Sequence, residues 1–417
     1  MLAILNNLGN SCLTRFQRLG PLSDLTDLNR SISVLNKAIH IVPDNDAGRP
    51  TILNNLGNSL LSRFERLDEL SDLNGAISVF KDATCLIQDG HTSKADYLSN
   101  IGNATWIRFK RLSKREDQEA ALLCFSSAAK SLSGSLSTRF IASARWAKCS
   151  HRGVSNSPLE AYHVAISLIP RLAWLGSTIT DRHQQVMKAG TVVRDAVAAV
   201  ITIGKYDTAI EWLEQGRSII WGQLQDLCSP LNDLREVKPE FANRLVYLSS
   251  HLQGADPQLP TPTPSAKVPI VRHHELAHER EKLLKEIRKL EDFKRFLLPK
   301  NFSDLTPAAD KRPVIMLNIS EFRCDALILM PGLDVLHVPL KDFTLEDALF
   351  WNQCLQLVLQ NGQLHVETIQ RRFPRKASRI PDHGTFIDRE VVLVSILSEL
   401  WKYIAKPILD ALSIKLS

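Results

Sequence analysis

The first 130 residues alternate between stretches in which apolar side chains recur every three or four positions and short polar stretches. This spacing is typical of α-helices with one apolar face. Such stretches come in pairs separated by a few polar residues, so the pattern predicts pairs of amphipathic helices. In the clearest pair the apolar positions are Ile52, Leu53, Leu56, Leu60 and Phe64, followed by Leu73, Ile77, Phe80 and Ala83.

The same pair of helices occurs three times. The motif NNLGN at residues 6–10 returns at residues 54–58 and, as SNIGN, at residues 99–103. Successive first helices are 48 and then 45 residues apart, whereas the second helices are 45 residues apart both times. The extra residues of the first copy therefore lie between its helices. Because an insertion is tolerated in a turn and not inside a packed helix, each unit is predicted to be helix, turn, helix.

Two residue types in these units carry further expectations. Gly57 lies inside a predicted helix at a cost of about 1 kcal/mol relative to alanine, so we expect the second helix to approach closely there. Asp72, and Asp27 in the first unit, stand where a second helix begins. A short polar side chain at that position predicts an N-cap.

The repeats resemble a known family. Ala76, Phe80 and Ala83 have the spacing of the second-helix signature of tetratricopeptide (TPR) repeats, and Leu56-Gly57 resembles the Leu-Gly of the first helix. A TPR unit has about 34 residues, so the units of this chain are longer. The resemblance implies a mostly α-helical fold, an α-solenoid whose concave face binds a protein or peptide partner.

Asparagines occupy equivalent positions in the three first helices. They could line the concave surface and bind the backbone of a peptide, or they could form hydrogen bonds within each repeat, and both interpretations stay open. No catalytic residue is predicted in the repeats. The candidate protein-binding residues are Asn7, Asn10, Asn55, Asn58, Asn100 and Asn103.

The middle of the chain is predicted to be helical without a clear period. Residues 255–269 contain five prolines and are predicted to be a linker. Residues 272–298 follow with leucines at every seventh position, which predicts one long helix. The predicted domains are TPR-like repeats at 1–150, a helical continuation at 151–254, a linker at 255–270 and a small α/β module at 271–417.

Short β-type runs appear at residues 314–319, 324–330 and 333–338, and a helix starting at Thr344 follows. This order predicts a three-stranded meander. It resembles the opening of a CHAT domain, a caspase-like module found after TPR arrays. The segment YDTAIEWLEQGRSIIW at residues 206–221 is similar to the helix that precedes such domains.

A cysteine peptidase of that family would need a His-Gly at the end of one strand and a cysteine at the end of another. His383-Gly384 does not follow an apolar strand, and Cys324 and His337 lie inside strands, so no catalytic residue is predicted. The resemblance implies a partial caspase-like module without its dyad. The alternative is a fragment of a cysteine peptidase whose catalytic half lies beyond residue 417.

Composition narrows the choice of function. The chain has 417 residues, a net charge of +6, 6% aromatic residues and only 18 glycines, which disfavours a β-sandwich. The seven cysteines form no CxxC pair and there is no phosphate-binding glycine loop, so neither a metal nor a cofactor is expected.

The predicted location is the cytoplasm, because the N-terminus lacks a signal-peptide pattern and no apolar run could span a membrane. The basic run at residues 371–379 has few aromatic residues, which favours a solvated loop over a nucleic-acid site. The sequence therefore predicts a protein-interaction scaffold, whose oligomeric state it leaves open.

Overall fold

A computed structural model describes most of the chain. The described residues are 2–20, 25–152, 158–172, 179–225, 231–252, 276, 279–280, 282–298, 300–359 and 389–416. They form two compact units, residues 1–172 and 173–417. Helices dominate both units, which confirms the predicted mostly α fold class. The predicted linker at 255–270, His383-Gly384 and the basic run at 371–379 lie outside the described residues.

The first unit is an α-solenoid of antiparallel helix pairs. Each first helix packs on the second helix of its pair, and each second helix packs on the first helix of the next pair. The three predicted pairs are confirmed, and a fourth follows them. The helices are α1 (Leu2–Leu19), α2 (Thr26–Ile41), α3 (Arg49–Leu67), α4 (Leu70–Cys85), α5 (Lys94–Leu112), α6 (Arg115–Lys130), α7 (Leu136–Arg152) and α8 (Leu159–Leu172).

Glycine lets the two helices of a pair approach closely, as predicted. A Cβ atom on Gly57 would lie 2.5 Å from Cε1 of Phe80, and one on Gly102 would lie 2.8 Å from the ring of Phe125. Both phenylalanines are almost fully buried. The glycines of the first helices therefore act as sockets for large side chains of the second helices.

The N-cap prediction for Asp27 and Asp72 is wrong. Both residues lie in the first turn of their helices, and no side chain caps either helix. Their carboxylates instead accept hydrogen bonds from arginines of the preceding helix: Arg63 donates to Asp72 through Nε at 2.7 Å and Nη2 at 2.6 Å, and Arg15 pairs with Asp27 in the same way. A guanidinium that binds both carboxylate oxygens satisfies the acceptors that a cap would have used.

The second unit contains helices and one sheet. The predicted meander is confirmed, because Val314–Ile319, Cys324–Leu329 and Leu336–Pro339 form an antiparallel sheet in chain order, with Val314 opposite Leu329 and Asp325 opposite Pro339. The elements are α9 (Ile179–Thr202), α10 (Tyr206–Gln225), α11 (Leu231–Val237), α12 (Pro239–Leu252), α13 (Phe302–Leu305), β1 (Val314–Ile319), β2 (Cys324–Leu329), β3 (Leu336–Pro339), α14 (Leu345–Leu359), α15 (Arg389–Leu400) and α16 (Lys406–Leu416).

The central strand β2 is buried along its whole length. Cys324, Ala326 and Ile328 pack on one face of the sheet in an apolar cluster with residues of α14, α15 and α16. Because side chains alternate along a strand, Asp325 faces the other way. On that side the neighbouring strand β1 contacts α9 and α10. The sheet therefore lies between two layers of helix.

The single long helix predicted at 272–298 is wrong in its second half. The helix ends at Ile287, and Leu290 has an extended backbone before a 3₁₀ turn at Glu291–Phe293. Phe293 and Phe296 fold back onto Ile287 and the apolar residues of α11 and α12. Burial of these two rings favours the reversal over continued helix.

Candidate protein-binding face of the first helices

The candidate residues lie on one side of the first helices. Successive residues of an α-helix are turned by about 100°, so Asn55, two positions before Gly57, points away from the second helix that Gly57 contacts. Asn58 lies one residue beyond Gly57, on the flank of the same surface. We call this surface the first-helix face. Its members are Asn7 and Asn10 of α1, Asn55 and Asn58 of α3, Asn100 and Asn103 of α5, and, at the equivalent positions of α7, Arg145 and Lys148.

Part of the asparagine ladder links neighbouring repeats. Nδ2 of Asn55 donates to Oδ1 of Asn6 at 2.9 Å, and Nδ2 of Asn100 donates to Oδ1 of Asn54 at 2.9 Å. These two bonds join adjacent first helices, so Asn55 and Asn100 bond between repeats and not within a repeat. The amides fix the spacing of the helices that form the face.

The other four asparagines have free amides. Within the described part of the chain, the side chains of Asn7, Asn10, Asn58 and Asn103 form no hydrogen bond. Asn7 and Asn10 are exposed, whereas Asn58 and Asn103 are half-buried. Each amide offers two donors and one acceptor. This part of the face can therefore exchange hydrogen bonds with a polar ligand.

The face becomes basic at α7. Arg145 stands 45 positions after Asn100, and its Nη1 donates to Oγ of Ser99 at 3.5 Å. Burial lowers the pKa of the Arg145 guanidinium. Lys148 stands 45 positions after Asn103. The last first helix thus presents cations where the earlier ones present amides.

Four cations act on the pKa of the Cys149 thiol. Burial raises its pKa to about 12, although Arg145, Arg152, Lys110 and Lys148 each act to lower it. Arg145, Lys148 and Arg152 are three and then four residues apart in α7 and so share one face of that helix, and Lys110 belongs to α5.

The second unit holds a different polar group, centred on Asp325. This carboxylate is fully buried and accepts hydrogen bonds from both Nε and Nη2 of Arg323 at 2.7 Å. Nε2 of His337 lies 2.7 Å from Oδ1 of Asp325, and Tyr206 stacks on the His337 ring at 5.0 Å. Burial raises the pKa of Asp325, but the bonds from His337 and Arg323 outweigh it, so the pKa lies below its usual value. This group joins the sheet to α10.

The described histidine and cysteine of this sheet are kept apart. Cys324 faces the apolar cluster, on the opposite side of β2 from Asp325 and His337. Burial raises the pKa of the Cys324 thiol to about 11. A buried thiol with a raised pKa is a poor nucleophile. Cys324 and His337 therefore do not form a catalytic pair.

Two other kinds of feature are absent from the described residues. No three His, Cys, Asp or Glu side chains among them are grouped to hold a metal ion. None of the helices they form has the length and apolar character to cross a bilayer.

Of the comparisons with known proteins, only the one with solved structures gives matches. No protein-family profile matches the sequence, and no curated protein matches it. The Q17M variant of a Podosopora anserina protein described as "kinesin light chain nearly identical TPR-like repeats" is 13% identical, covers 52% of this chain and 95% of its own, and has a TM-score of 0.33. The structure of the same protein without that substitution has a TM-score of 0.32. The assembly chaperone of RpL4, Acl4, is 13% identical, covers 67% of this chain and 98% of its own, and has a TM-score of 0.27.

Sequence reasoning missed two features of the first unit. The pairing of Arg63 with Asp72 was detectable, because an arginine and an aspartate recur at the same two positions of each repeat. Arg145 and Lys148 were detectable by continuing the 45-residue spacing from α5 into α7. Both features become visible when equivalent positions of successive repeats are compared, and neither is part of a single motif.

Proposed function

We propose that this protein is an interaction scaffold whose first-helix face binds an extended segment of a partner protein. The free amides of Asn10, Asn58 and Asn103 carry the proposal. They recur at the same position of successive helices, so they form a row across the stack. An extended peptide presents backbone N–H and C=O groups at regular intervals, which an amide side chain can match as both donor and acceptor.

We further propose that the sheet-containing unit is a partial CHAT-like module with a structural role. The order of meander and following helix supports this proposal. The placement of Cys324 and His337 on opposite faces of the sheet supports a non-catalytic role for both. The unpaired cysteines among the described residues suit a reducing compartment, so we assign the protein to the cytoplasm.

Peptide selection tests the scaffold proposal. The full chain is used to select binders from a phage library of random peptides, and their affinities are measured by fluorescence anisotropy. The triple variant Asn10→Ala, Asn58→Ala and Asn103→Ala is expected to weaken binding by about tenfold or more, since each lost hydrogen bond costs roughly 0.5–1.5 kcal/mol. Asn36→Ala is the control, because Asn36 is exposed on the second helix α2. Equal affinity for the triple variant, or failure to select any binder, would overturn the proposal.

Thiol labelling tests the non-catalytic role. At about pH 8, iodoacetamide is expected to modify the exposed Cys85 in the native protein, because only its thiolate reacts and Cys85 is accessible. Cys324 and Cys354 are buried, and burial raises the pKa of each thiol to about 11, so both should react only after unfolding. Labelling of native Cys324 faster than Cys85, read by peptide mass spectrometry, would contradict the proposal.

A further inference from the structure

We infer that the free edge of strand β1 pairs with the same strand of a second copy of this chain, so that two three-stranded sheets join into one continuous sheet. Among the described strands, β1 has a neighbour on one side alone, because the sheet runs in the order β1-β2-β3. An unpaired strand edge is a template for another strand. The inference concerns the second unit and does not depend on the scaffold function proposed for the first.

The hairpin between β1 and β2 identifies the backbone groups that face the free edge. The N–H of Ser320 donates to the carbonyl oxygen of Arg323 at 3.1 Å, next to the turn. Bonded and unbonded pairs alternate along an antiparallel ladder, so every second residue of β1, counted back from Ser320, bonds to β2. The residues between them direct their backbone groups to the free edge, and outside the ladder no hydrogen bond within the described structure reaches them. They are Ile315, Leu317 and Ile319.

The other side of the sheet gives the same assignment. Cys324 lies opposite Ile319 in the register, and its carbonyl oxygen accepts a hydrogen bond from the N–H of Leu340, on the β3 side. A residue of an antiparallel strand directs both of its backbone groups to the same neighbour. Cys324 is therefore not bonded to Ile319, and the N–H and C=O of Ile319 face the free edge.

The side chains of β1 also leave this edge open to pairing. Ile315 and Leu317 are 43% and 44% exposed, whereas Met316 and Asn318 are buried. The strand contains no charged residue, and charged residues are a usual protection of a strand edge. The strand β3 at the opposite side of the sheet is shorter and contains Pro339, which cannot donate a ladder hydrogen bond. Of the two edges, β1 is therefore the one suited to a partner.

The free edge of β1 is complementary to itself. In an antiparallel pair centred on Leu317, that residue lies opposite its own copy, and Ile315 lies opposite Ile319 of the second copy. These are the residues with free backbone groups, so about six hydrogen bonds can form between the copies. Each apolar side chain then meets another apolar side chain on the same face of the sheet. Pro313 lies outside the paired stretch, so its missing N–H removes none of these bonds.

Charges beyond the ends of β1 favour a second copy over another partner strand. Arg312 precedes the strand and Glu321 follows it, and both are exposed. In the antiparallel pair centred on Leu317, Arg312 of each copy lies beside Glu321 of the other. A twofold pairing therefore brings opposite charges together at both ends. A strand edge buries less surface than the roughly 1,200–2,000 Å² of a standard interface, so we expect the dimer to form at micromolar concentration.

Self-association of the full chain is measured by sedimentation velocity over about 1–100 μM. Leu317→Lys places like charges opposite each other at the centre of the paired edge, so it is expected to weaken the dimer about tenfold or more. Leu349→Lys makes the same change on helix α14, where Leu349 is 52% exposed, and is expected to leave the dimer unchanged. Circular dichroism and thermal unfolding verify that both variants are folded.

A second set of variants tests the antiparallel register. Arg312→Glu places an acidic residue beside Glu321 of the second copy, and Glu321→Arg places a basic residue beside Arg312, so each alone is expected to weaken the dimer. The combined variant exchanges the two charges and is expected to restore the wild-type affinity. Hydrogen exchange with mass spectrometry reads the edge itself, because the amides of Ile315, Leu317 and Ile319 should exchange more slowly at high protein concentration.

The wild-type chain must itself form the dimer. A wild type that stays monomeric up to about 100 μM would exclude pairing between copies. A dimer that Leu317→Lys weakens no more than Leu349→Lys does would place the contact elsewhere, and so would exchange of β1 that does not change with concentration. A combined charge variant that associates no better than either single variant would refute the twofold register.

Discussion

A buried aspartate bound by an arginine occurs in both units, with different architecture. In the repeats, Asp72 is held by Arg63, nine residues earlier on the preceding helix, and Arg108 holds Asp117 in the same way. In the second unit, Asp325 is held by Arg323 of its own strand and by His337 of β3. The repeated pair closes one helix hairpin each time. The single group joins a sheet to helices.

This difference indicates how far the structural effect of losing one arginine–aspartate pair would extend. Removing Asp72 affects one helix hairpin among several that share the same design. Removing Asp325 affects β2 and β3, and through Tyr206 and Thr202 it also affects the helices α10 and α9. We therefore expect local consequences in the solenoid and unit-wide consequences around the sheet.

The largest effect should follow from Asp325→Asn. It replaces a fully buried carboxylate that accepts hydrogen bonds from both Arg323 and His337, and breaking a buried pair in this way costs about 3–5 kcal/mol. Asp72→Asn should cost less, about 1.5–3 kcal/mol, because among the described residues the Asp72 carboxylate is bound by Arg63 alone and Arg63 keeps its bond to Asn29. Hydrogen exchange with mass spectrometry measures both. Equal losses of protection, each confined to one hairpin or strand, would refute the contrast.

Acidic pH should remove the stabilising contribution of the Asp325 carboxylate without a mutation. The folded-state pKa of Asp325 lies below its ordinary value of 3.8, so its stabilising contribution is complete above about pH 4 and is lost as pH falls through the folded-state pKa. The difference in exchange of β2 between the wild type and Asp325→Asn should therefore narrow below about pH 4. A difference that is constant down to strongly acidic pH would show that the charge of Asp325 is not the cause.

A smaller effect is expected where helices touch. Gly57→Ala places a Cβ 2.5 Å from Phe80, and such overpacking costs about 1–3 kcal/mol, partly offset by the higher helix propensity of alanine. Gly75→Ala is the matched control in α4, since its Cβ would meet Leu60 at an ordinary 3.4 Å. Urea unfolding should show Gly57→Ala destabilised and Gly75→Ala stabilised by up to about 1 kcal/mol. A change in the free energy of unfolding of the same sign for both variants would contradict the proposed role of Gly57 as a socket for Phe80.

The smallest effect concerns the link between repeats. Oδ1 of Asn74 accepts a hydrogen bond from Nη1 of Arg108 in the next repeat at 2.9 Å. Asn74→Ala should lower the free energy of unfolding by about 0.5–1.5 kcal/mol, whereas the exposed Asn36→Ala should leave it nearly unchanged. Denaturant midpoints compare the two. A null result for Asn74→Ala would mean that solvent replaces the bond without loss.

The sequence predicted the features that show as a repeated motif or as a regular spacing of apolar residues. The helix hairpins, the Gly57 socket and the meander all follow from residue spacing. The donors to Asp27 and Asp72 could not be assigned from the residues that begin the second helix, because those donors are arginines of the preceding helix. The reversal at Leu290 was not predictable from leucine spacing, since it depends on Phe293 and Phe296 finding a core made by α11 and α12. The position of Arg145 on the first-helix face was not predicted, because α7 belongs to a fourth repeat whose first helix lacks the NNLGN motif.

The arginine-to-asparagine links have a consequence for the growth of the array. Arg63 reaches back to Asn29 and Arg108 reaches back to Asn74, and donor and acceptor are each displaced by 45 positions. The second of these two junctions is thus a copy of the first, with the same polarity. Duplication or deletion of one whole unit would join a donor to an acceptor it already fits, while any other length would not. The gene can therefore change the reach of this protein in steps of one repeat.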